Sequence, residues 1–163
     1  MYNIIIEYKP KSGYLESRRE IEKIMEKLEA SAEVDLLVPG WIILKTDMPH
    51  KAVIEEVEDR FSMNPEFVKT TLRWIPVDYW CEPKDVPAKV KEEYGDILLA
   101  KDRYCIMAEA HNVDADLTQL KKDISAIIPA KLEPDPIEKI LRIDIFTKGT
   151  AIAIIGRHSI FRA

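Results

Sequence analysis

Cysteine, glycine and long apolar runs are all scarce in this sequence of 163 residues. Its two cysteines, Cys81 and Cys105, are too few for a disulfide-rich secreted scaffold and favour a reducing, cytoplasmic setting. Apolar runs such as 41–44 are far shorter than the roughly 20 residues that a membrane-spanning helix needs. No basic segment followed by an apolar stretch opens the chain, so we expect no signal peptide and no membrane partner.

Sequence motifs of catalysis are also missing. There is no glycine-rich phosphate loop, no Gly-x-Ser-x-Gly elbow and no His-Glu-x-x-His pair. The three histidines, at positions 50, 111 and 158, are scattered, and none has a cysteine or a second histidine at ligand spacing. Cys105 lies inside an apolar strand pattern, which favours core packing over a nucleophilic role. We therefore expect no enzyme activity of its own, no cofactor and no metal site.

What is present is the composition of a globular protein with a core. Apolar residues make up 47% and charged residues 33%, and the length suits one ordinary domain or two small ones. The net charge of −5 argues against a uniformly basic nucleic-acid-binding module, but the charge is unevenly distributed. In 139–163 the only acid is Asp144, whereas the cations of that stretch are Lys139, Arg142, Lys148, Arg157 and Arg162.

The first half has the pattern of a ferredoxin-like fold. Short apolar strands alternate with amphipathic helices, and the turn and capping residues separate them. The predicted order of strand, helix, strand, strand, helix, strand is that of the split βαβ arrangement. In chain order we predict a strand at 2–8, a helix at 15–30, strands at 34–39 and 41–46 joined at Pro39-Gly40, a helix capped by Asp47 and ended by Asn64-Pro65, and a strand at 67–74.

The second half has a different order of elements. A bend between Pro76 and Pro83 separates it from the first half, which gives predicted domains at 1–76 and 77–163. After the bend we predict a helix from Asp85 to about Leu99, a strand at 104–110, a helix at 116–128, a proline-rich loop at 129–136, and a hairpin of strands 140–146 and 151–155 around Lys148-Gly149.

Several short motifs resemble those of a known family. The stretch 71–78, Thr-Leu-Arg-Trp-Ile-Pro-Val-Asp, resembles the segment that joins an N-terminal ferredoxin-like domain to a THUMP domain in archaeal THUMP proteins. Asp102-Arg103-Tyr104 resembles the start of the first THUMP strand, and 142–145 and 159–161 follow in the order of the family. The sequence departs from the family at 108–112, where the family usually has several basic residues. It also departs at 129–135, which only approximates the Asp-Leu-x-Asn-Pro-Asp motif usual in the family.

This resemblance implies an α+β fold class, with an N-terminal ferredoxin-like βαββαβ domain followed by a C-terminal THUMP domain whose helices cover a mixed sheet. It implies an RNA-binding accessory protein that grips the acceptor stem and the 3′ CCA end of tRNA. The chemistry would come from a tRNA-modifying enzyme in trans, since no catalytic domain follows in the chain. The sequence is therefore similar to stand-alone THUMP proteins, one of which is the adaptor that presents tRNA to a cytidine acetyltransferase.

The candidate RNA-binding residues are cations and hydrogen-bonding side chains, because several positive charges on one surface are needed to bind phosphates. Ordinary surface charge is the competing interpretation for each single residue. We also expect that the single-stranded end of the RNA stacks on Trp74, Tyr79 or Trp80. The competing interpretation is that these rings are buried between the two domains. The candidates are Arg73, Arg103, Lys121, Lys122, Lys131, Arg142, Lys148, Arg157 and Arg162 for phosphate, with His111, Asn112 and His158 for hydrogen bonds.

Two other functions stay open at this point. The acidic helix at 15–30 and the net negative charge would suit a protein-docking or assembly module with weak intrinsic RNA affinity. A small self-sufficient enzyme is the third alternative, although no nucleophile or metal site in the sequence would support it. The sheet edges of the ferredoxin-like half could also pair with a second copy, so a homodimer is a possible assembly.

Overall fold

The computed structural model describes residues 1–98, 104–128, 139–156 and 158–163. They form two compact units, and each is an α/β arrangement with its own sheet. The first unit consists of Met1–Val77 together with His158–Ala163, and the second of Asp78–Arg157. In the described part of the chain, no helix has both the length and the apolar composition that crossing a bilayer requires.

The first unit has the predicted order of elements. Its sheet has the strand order β2-β3-β1-β4, antiparallel throughout, which is the arrangement of a ferredoxin-like fold. The elements are β1 (Ile4–Tyr8), α1 (Gly13–Lys27), β2 (Glu33–Val38), β3 (Trp41–Lys45), α2 (His50–Met63) and β4 (Thr71–Pro76).

The core of the first unit lies between the helices and one face of the sheet. Apolar residues at helical spacing, such as Ile21 and Met25 on α1 and Val57 on α2, are fully buried against alternate strand residues such as Ile6. Trp74 of β4 belongs to this core with 0% exposure, and its indole Nε1 donates to Thr71 Oγ1 at 3.0 Å. The ring therefore stabilises the fold, and the expectation that Trp74 stacks on RNA is wrong.

Two local expectations in the first unit are corrected. Asp47 does not cap α2, because its carboxylate accepts the backbone N–H of Ser31 at 3.1 Å while Ser31 Oγ accepts the N–H of Asp47 at 2.9 Å. These hydrogen bonds with Ser31 hold the pKa of Asp47 below its usual value. The strand predicted to begin at residue 67 begins at Thr71, because Pro65–Phe67 forms a 3₁₀ turn. Asn64 caps this turn by accepting from the N–H of Glu66 at 3.2 Å.

The hairpin between β2 and β3 turns at Pro39-Gly40, as predicted. Gly40 has a φ of +92°, a conformation that costs little for glycine but strains any residue with a Cβ. We expect Gly40→Ala to destabilise the first unit by about 1–2 kcal/mol, although no atom lies within 4 Å of the added methyl group. Urea denaturation would measure this loss. Gly40→Asn is the matched control and should lose less, because asparagine tolerates positive φ better than alanine.

The first unit also contains a strand that the sequence does not predict. β9 (Phe161–Arg162) pairs antiparallel with β4, so residues 158–163, predicted to belong to the second domain, complete the sheet of the first unit. Phe161 is 1% exposed and packs edge-to-face on Phe61, with ring centroids 5.2 Å apart. Burial of this ring stabilises the attachment of the short strand.

The second unit is built on a mixed sheet, as predicted, and it has four strands where the sequence predicts three. Its order is β5-β8-β7-β6, in which β6 and β7 run parallel and the other neighbours are antiparallel. The elements are β5 (Tyr79–Cys81), α3 (Val86–Tyr94), β6 (Tyr104–Ala110), α4 (Leu117–Ile127), β7 (Lys139–Phe146) and β8 (Gly149–Ile155).

Helices α3 and α4 pack on one face of this sheet. Val90 of α3 and Ile124 of α4 are buried against alternate strand residues such as Ile143 and Ile152. The hydroxyl of Tyr104 donates to the carbonyl of Ile128 at 3.0 Å, which ties the start of β6 to the end of α4. α3 ends at Tyr94, earlier than the predicted end near Leu99. Leu99 and the predicted proline-rich loop 129–136 lie outside the described residues.

Candidate nucleic-acid interface

The surface of α4 carries two of the predicted phosphate-binding residues, Lys121 and Lys122. Asp116 begins the helix by accepting the N–H of Gln119 at 3.0 Å. Because the apolar positions of α4 face the core, both lysines are exposed on the outer side. They line a shallow depression that we call the α4 lysine surface, formed by Thr118, Lys121, Lys122, Ser125 and Ala126.

The α4 lysines lie side by side and are not neutralised by a carboxylate of the described residues, whereas several other surface cations are paired with acids. Within the described residues, neither Lys121 nor Lys122 forms an ion pair, so their positive charge is available to an anionic ligand. Asp123, the next residue, accepts a hydrogen bond from Gln119 at 2.8 Å on the opposite, acidic flank of the helix. Cations neutralised by nearby acids include Arg18 with Glu22, Arg60 with Glu56, Lys69 with Glu66, Lys84 with Glu82, and Lys89 with Glu93.

The hairpin turn and the C-terminal segment present further predicted residues. Lys148 is exposed in the two-residue turn between β7 and β8, where Phe146 pairs with Gly149. His158 and Arg162 are exposed in the segment that ends the chain. Of the predicted site residues, Arg103, Lys131 and Arg157 lie outside the described residues.

Arg73 and Arg162 are direct neighbours across β4 and β9. The guanidinium Nε of Arg73 lies 2.5 Å from a carboxylate oxygen of Glu7, and the group sits 5.3 Å from the ring of Trp41. The Arg73 side chain is 16% exposed, whereas Arg162 is exposed and has no ion-pair partner among the described residues. Of these two strand residues, Arg162 is therefore the one with charge available to a phosphate.

A buried charge network contains two other predicted RNA contacts, Arg142 and His111. The Arg142 side chain is 1% exposed, and its guanidinium contacts Asp144 at 2.7 and 2.9 Å and Glu109 at 3.2 Å. His111 Nε2 lies 2.8 Å from Asp144 Oδ1, and its ring stacks on Phe146 with centroids 4.7 Å apart. Both side chains hold the second unit together, so the expectation that Arg142 offers its charge to RNA at the surface is wrong.

This network brings together side chains that could ligate a metal ion, a grouping that the sequence spacing does not reveal. One potential ligand atom each from Glu109, His111 and Asp144 lies within 4.8 Å of the others. The Arg142 guanidinium already contacts both carboxylates, and it supplies the positive charge between them. Asn112, which follows His111, is exposed and adopts a φ of +56°. Asparagine tolerates this left-handed conformation better than most residues.

The other aromatic and thiol groups named from the sequence are partly buried. Tyr79 packs edge-to-face on Tyr94 with centroids 5.7 Å apart, and the Trp80 ring lies beside Gly149. Both rings keep some exposure, so they remain the candidates for base stacking. Burial raises the pKa of the thiols of Cys81 and Cys105, which disfavours the reactive thiolate form.

No family model matches this sequence, and no curated protein sequence matches it. Solved structures, in contrast, share its fold. One is PH1313 from Pyrococcus horikoshii Ot3, with a TM-score of 0.65, 13% identity, and coverage of 96% of this chain and 55% of that chain. Another is TrmN from Thermus thermophilus, with a TM-score of 0.57, 8% identity, and coverage of 94% and 45%.

A third similar structure is a 4-thiouridine synthetase solved as a complex with RNA and bound ATP. Its TM-score is 0.50 at 10% identity, and the match covers 100% of this chain and 42% of the synthetase. This chain therefore spans about half the length of the proteins that it resembles. At these identities the similarity concerns the fold, and the fold of this chain is one that forms part of larger proteins, a 4-thiouridine synthetase among them.

Proposed function

We propose that this chain is an RNA-binding accessory protein that holds the acceptor stem and 3′ CCA end of tRNA while a separate enzyme modifies that tRNA. The observation that carries the proposal is the pair of exposed lysines on α4 that no carboxylate neutralises. Support comes from the fold, since the whole chain aligns with part of a synthetase solved with RNA. The resemblance of 71–78 to the junction segment of THUMP proteins points to the same function.

Binding would depend mainly on the shape and the backbone of the RNA. The deep major groove of an A-form stem hides the base edges, so phosphates and ribose hydroxyls are the accessible groups. In the second unit, the residues that would contact RNA phosphates are Lys121, Lys122 and Lys148. In the first unit, Arg162 would make such a contact. The partly buried ring of Trp80 would stack on an unpaired base of the CCA end.

The modification itself would be supplied by the partner enzyme, and a cytidine acetyltransferase is the partner that the family resemblance suggests. The thiols of Cys81 and Cys105 have raised pKa values because they are partly buried, and the buried Glu109–His111–Asp144 group already contains a guanidinium. An accessory role therefore fits the chemistry of the side chains better than turnover by the protein alone.

The test is binding of the purified protein to whole tRNA and to an acceptor-stem minihelix with and without its CCA end, across a salt series. We expect binding to require the CCA end, and the logarithm of the affinity to fall with the logarithm of salt at a slope of about −3 to −5. Absence of binding at low salt, with binding restored by a modification enzyme, would instead assign the chain to protein docking. Modification by the protein alone would contradict an accessory role.

A further inference from the structure

The first unit contains a groove that the proposed function does not use. It lies between α1 and the segment that leads into β4, and we call it the 64–70 groove. Its volume of about 370 Å³ is large enough for a phosphate group or a nucleotide. Residues of α1, among them Arg19, Glu20 and Lys23, line one side, and Phe67, Lys69 and Thr70 line the other.

One wall of the groove contains an anion-binding position, which we call the seat and which is formed by residues 69–71. The carboxylate of Glu20 occupies it. The backbone N–H groups of Lys69 and Thr70 both donate to Glu20 Oε2 at 2.9 Å. The N–H and the hydroxyl of Thr71 each donate to Glu20 Oε1 at 3.3 Å. Successive N–H groups that converge in this way form a concave site for negatively charged oxygen atoms.

The carboxylate of Glu20 satisfies this seat incompletely. Its two oxygens serve three backbone N–H groups and one hydroxyl, and every contact of Oε1 is 3.2 Å or longer. Thr70, which lines the groove, is 5% exposed, and its buried Oγ1 has no hydrogen-bond partner in the described part of the chain. A buried hydroxyl without a partner is costly, and an oxygen atom that replaced the Glu20 carboxylate and reached this hydroxyl would stabilise it.

The rim of the groove carries cations in excess over acids. Arg19 and Lys23 are exposed on the rim, and neither has an ion-pair partner among the described residues. Lys69 is paired with Glu66 at 2.7 Å, and Glu16 is the other acid on the rim. Since Glu66 is already neutralised, the rim offers more free positive than negative charge to an incoming anion.

We propose that the 64–70 groove is a phosphate-binding site for which Glu20 is the internal competitor. A phosphate has more oxygens than a carboxylate, so it can serve the N–H groups of Lys69, Thr70 and Thr71 and the hydroxyl of Thr70 at once. Arg19 and Lys23 neutralise its charge, and the Glu20 side chain rotates out of the seat. This inference does not depend on the proposed RNA-binding function, although RNA is one source of the phosphate.

The test is a titration of the ¹⁵N-labelled full chain with inorganic phosphate at constant ionic strength, observed in ¹H–¹⁵N correlation spectra. We expect saturable shifts of the amides of residues 69–71, which chloride at the same ionic strength does not produce. Glu20→Gln removes the competing charge and should tighten phosphate binding about tenfold. Thr70→Val removes the free hydroxyl and should weaken it about tenfold.

The matched control is Glu22→Gln, which removes the same charge from α1 at a carboxylate that pairs with Arg18 instead of facing the groove. It should leave the phosphate affinity within about twofold of that of the unaltered protein. The spectra also show that each variant is folded. A purely structural role for Glu20 predicts no saturable shift at residues 69–71 in either the original chain or Glu20→Gln, and that result would overturn the proposal.

The source of the phosphate is distinguished with RNA. Shifts of the same amides by a minihelix with a 5′-phosphate, but not by its dephosphorylated form, would assign the site to a terminal phosphate. Shifts by both forms would assign it to the phosphodiester backbone. The result is separable from the proposed function, because substitution of Lys121 and Lys122 should weaken RNA binding and leave the shifts caused by inorganic phosphate unchanged.

Discussion

Replacing Arg142 with alanine is expected to lower the stability of the second unit by about 3–5 kcal/mol. The substitution would leave the carboxylate of Asp144, which is 1% exposed, without the guanidinium that lies 2.7 Å away. Removal of a guanidinium from a buried carboxylate is among the costliest changes a core can undergo, and His111 Nε2, 2.8 Å from Asp144 Oδ1, would be left as a neighbour of that carboxylate. Urea denaturation would measure the total loss, and hydrogen exchange of the amides of β7 and β8 would locate it in the second unit.

Two variants test this explanation. Arg142→Met combined with Asp144→Leu removes both charges, so it should be less destabilising than Arg142→Ala alone. Lys148→Ala removes one positive charge from the exposed turn that follows β7, and it should stay within about 0.5 kcal/mol of the original stability. A loss below about 1 kcal/mol for Arg142→Ala would show that the network does not stabilise the sheet.

The buried network illustrates what the sequence could not predict. In the sequence, Arg142 is one cation of the positively charged stretch 139–163, and its assignment to phosphate binding requires that its side chain be exposed. In the structure both faces of β7 are buried. The partners of Arg142 come from a parallel neighbour, since the register of β6 and β7 sets Glu109 beside Asp144. That register depends on tertiary packing that no local pattern encodes.

The ferredoxin-like order of the first unit was predictable because local signals agree. Apolar periodicity marks α1 and α2, and the turn at Pro39-Gly40 separates two strands of ordinary length. The strands β5 and β9 were not predicted, because they contain only three and two residues, which is too few to show the alternation of apolar and polar residues typical of a strand. Their stability comes from pairing with β8 and β4, which are close in space and distant in sequence.

The candidate site was predictable to the extent that it lies on a well-formed helix. The cap at Asp116 and the apolar stripe of α4 fix which face is buried, so the exposure of Lys121 and Lys122 follows from helical geometry. Arg73 and Arg142 lie on strands, where exposure depends on what packs against each face of the sheet. The anion seat at residues 69–71 involves backbone groups and a glutamate some fifty residues away, and it has no sequence signature.

Substituting Lys121 and Lys122 together with alanine is expected to weaken RNA binding about 10- to 100-fold. Both lysines are exposed and without ion-pair partners in the described residues, so each would release a counterion when it contacts a phosphate. Their removal should weaken binding across RNA sequences and make the salt dependence shallower, with the slope closer to zero by about 1.5. Fluorescence anisotropy of a labelled minihelix, repeated from low to high salt, would measure both changes.

The matched control is Lys84→Ala combined with Lys91→Ala, which removes the same charge from the same unit. Lys84 lies 3.4 Å from Glu82, and Lys91 lies on α3, away from the α4 lysine surface. If contact with phosphate is local, the control retains affinity and salt slope while the α4 variant loses both. Equal losses would mean that net charge alone governs binding, and an unchanged affinity of the α4 variant would remove this helix from the RNA interface.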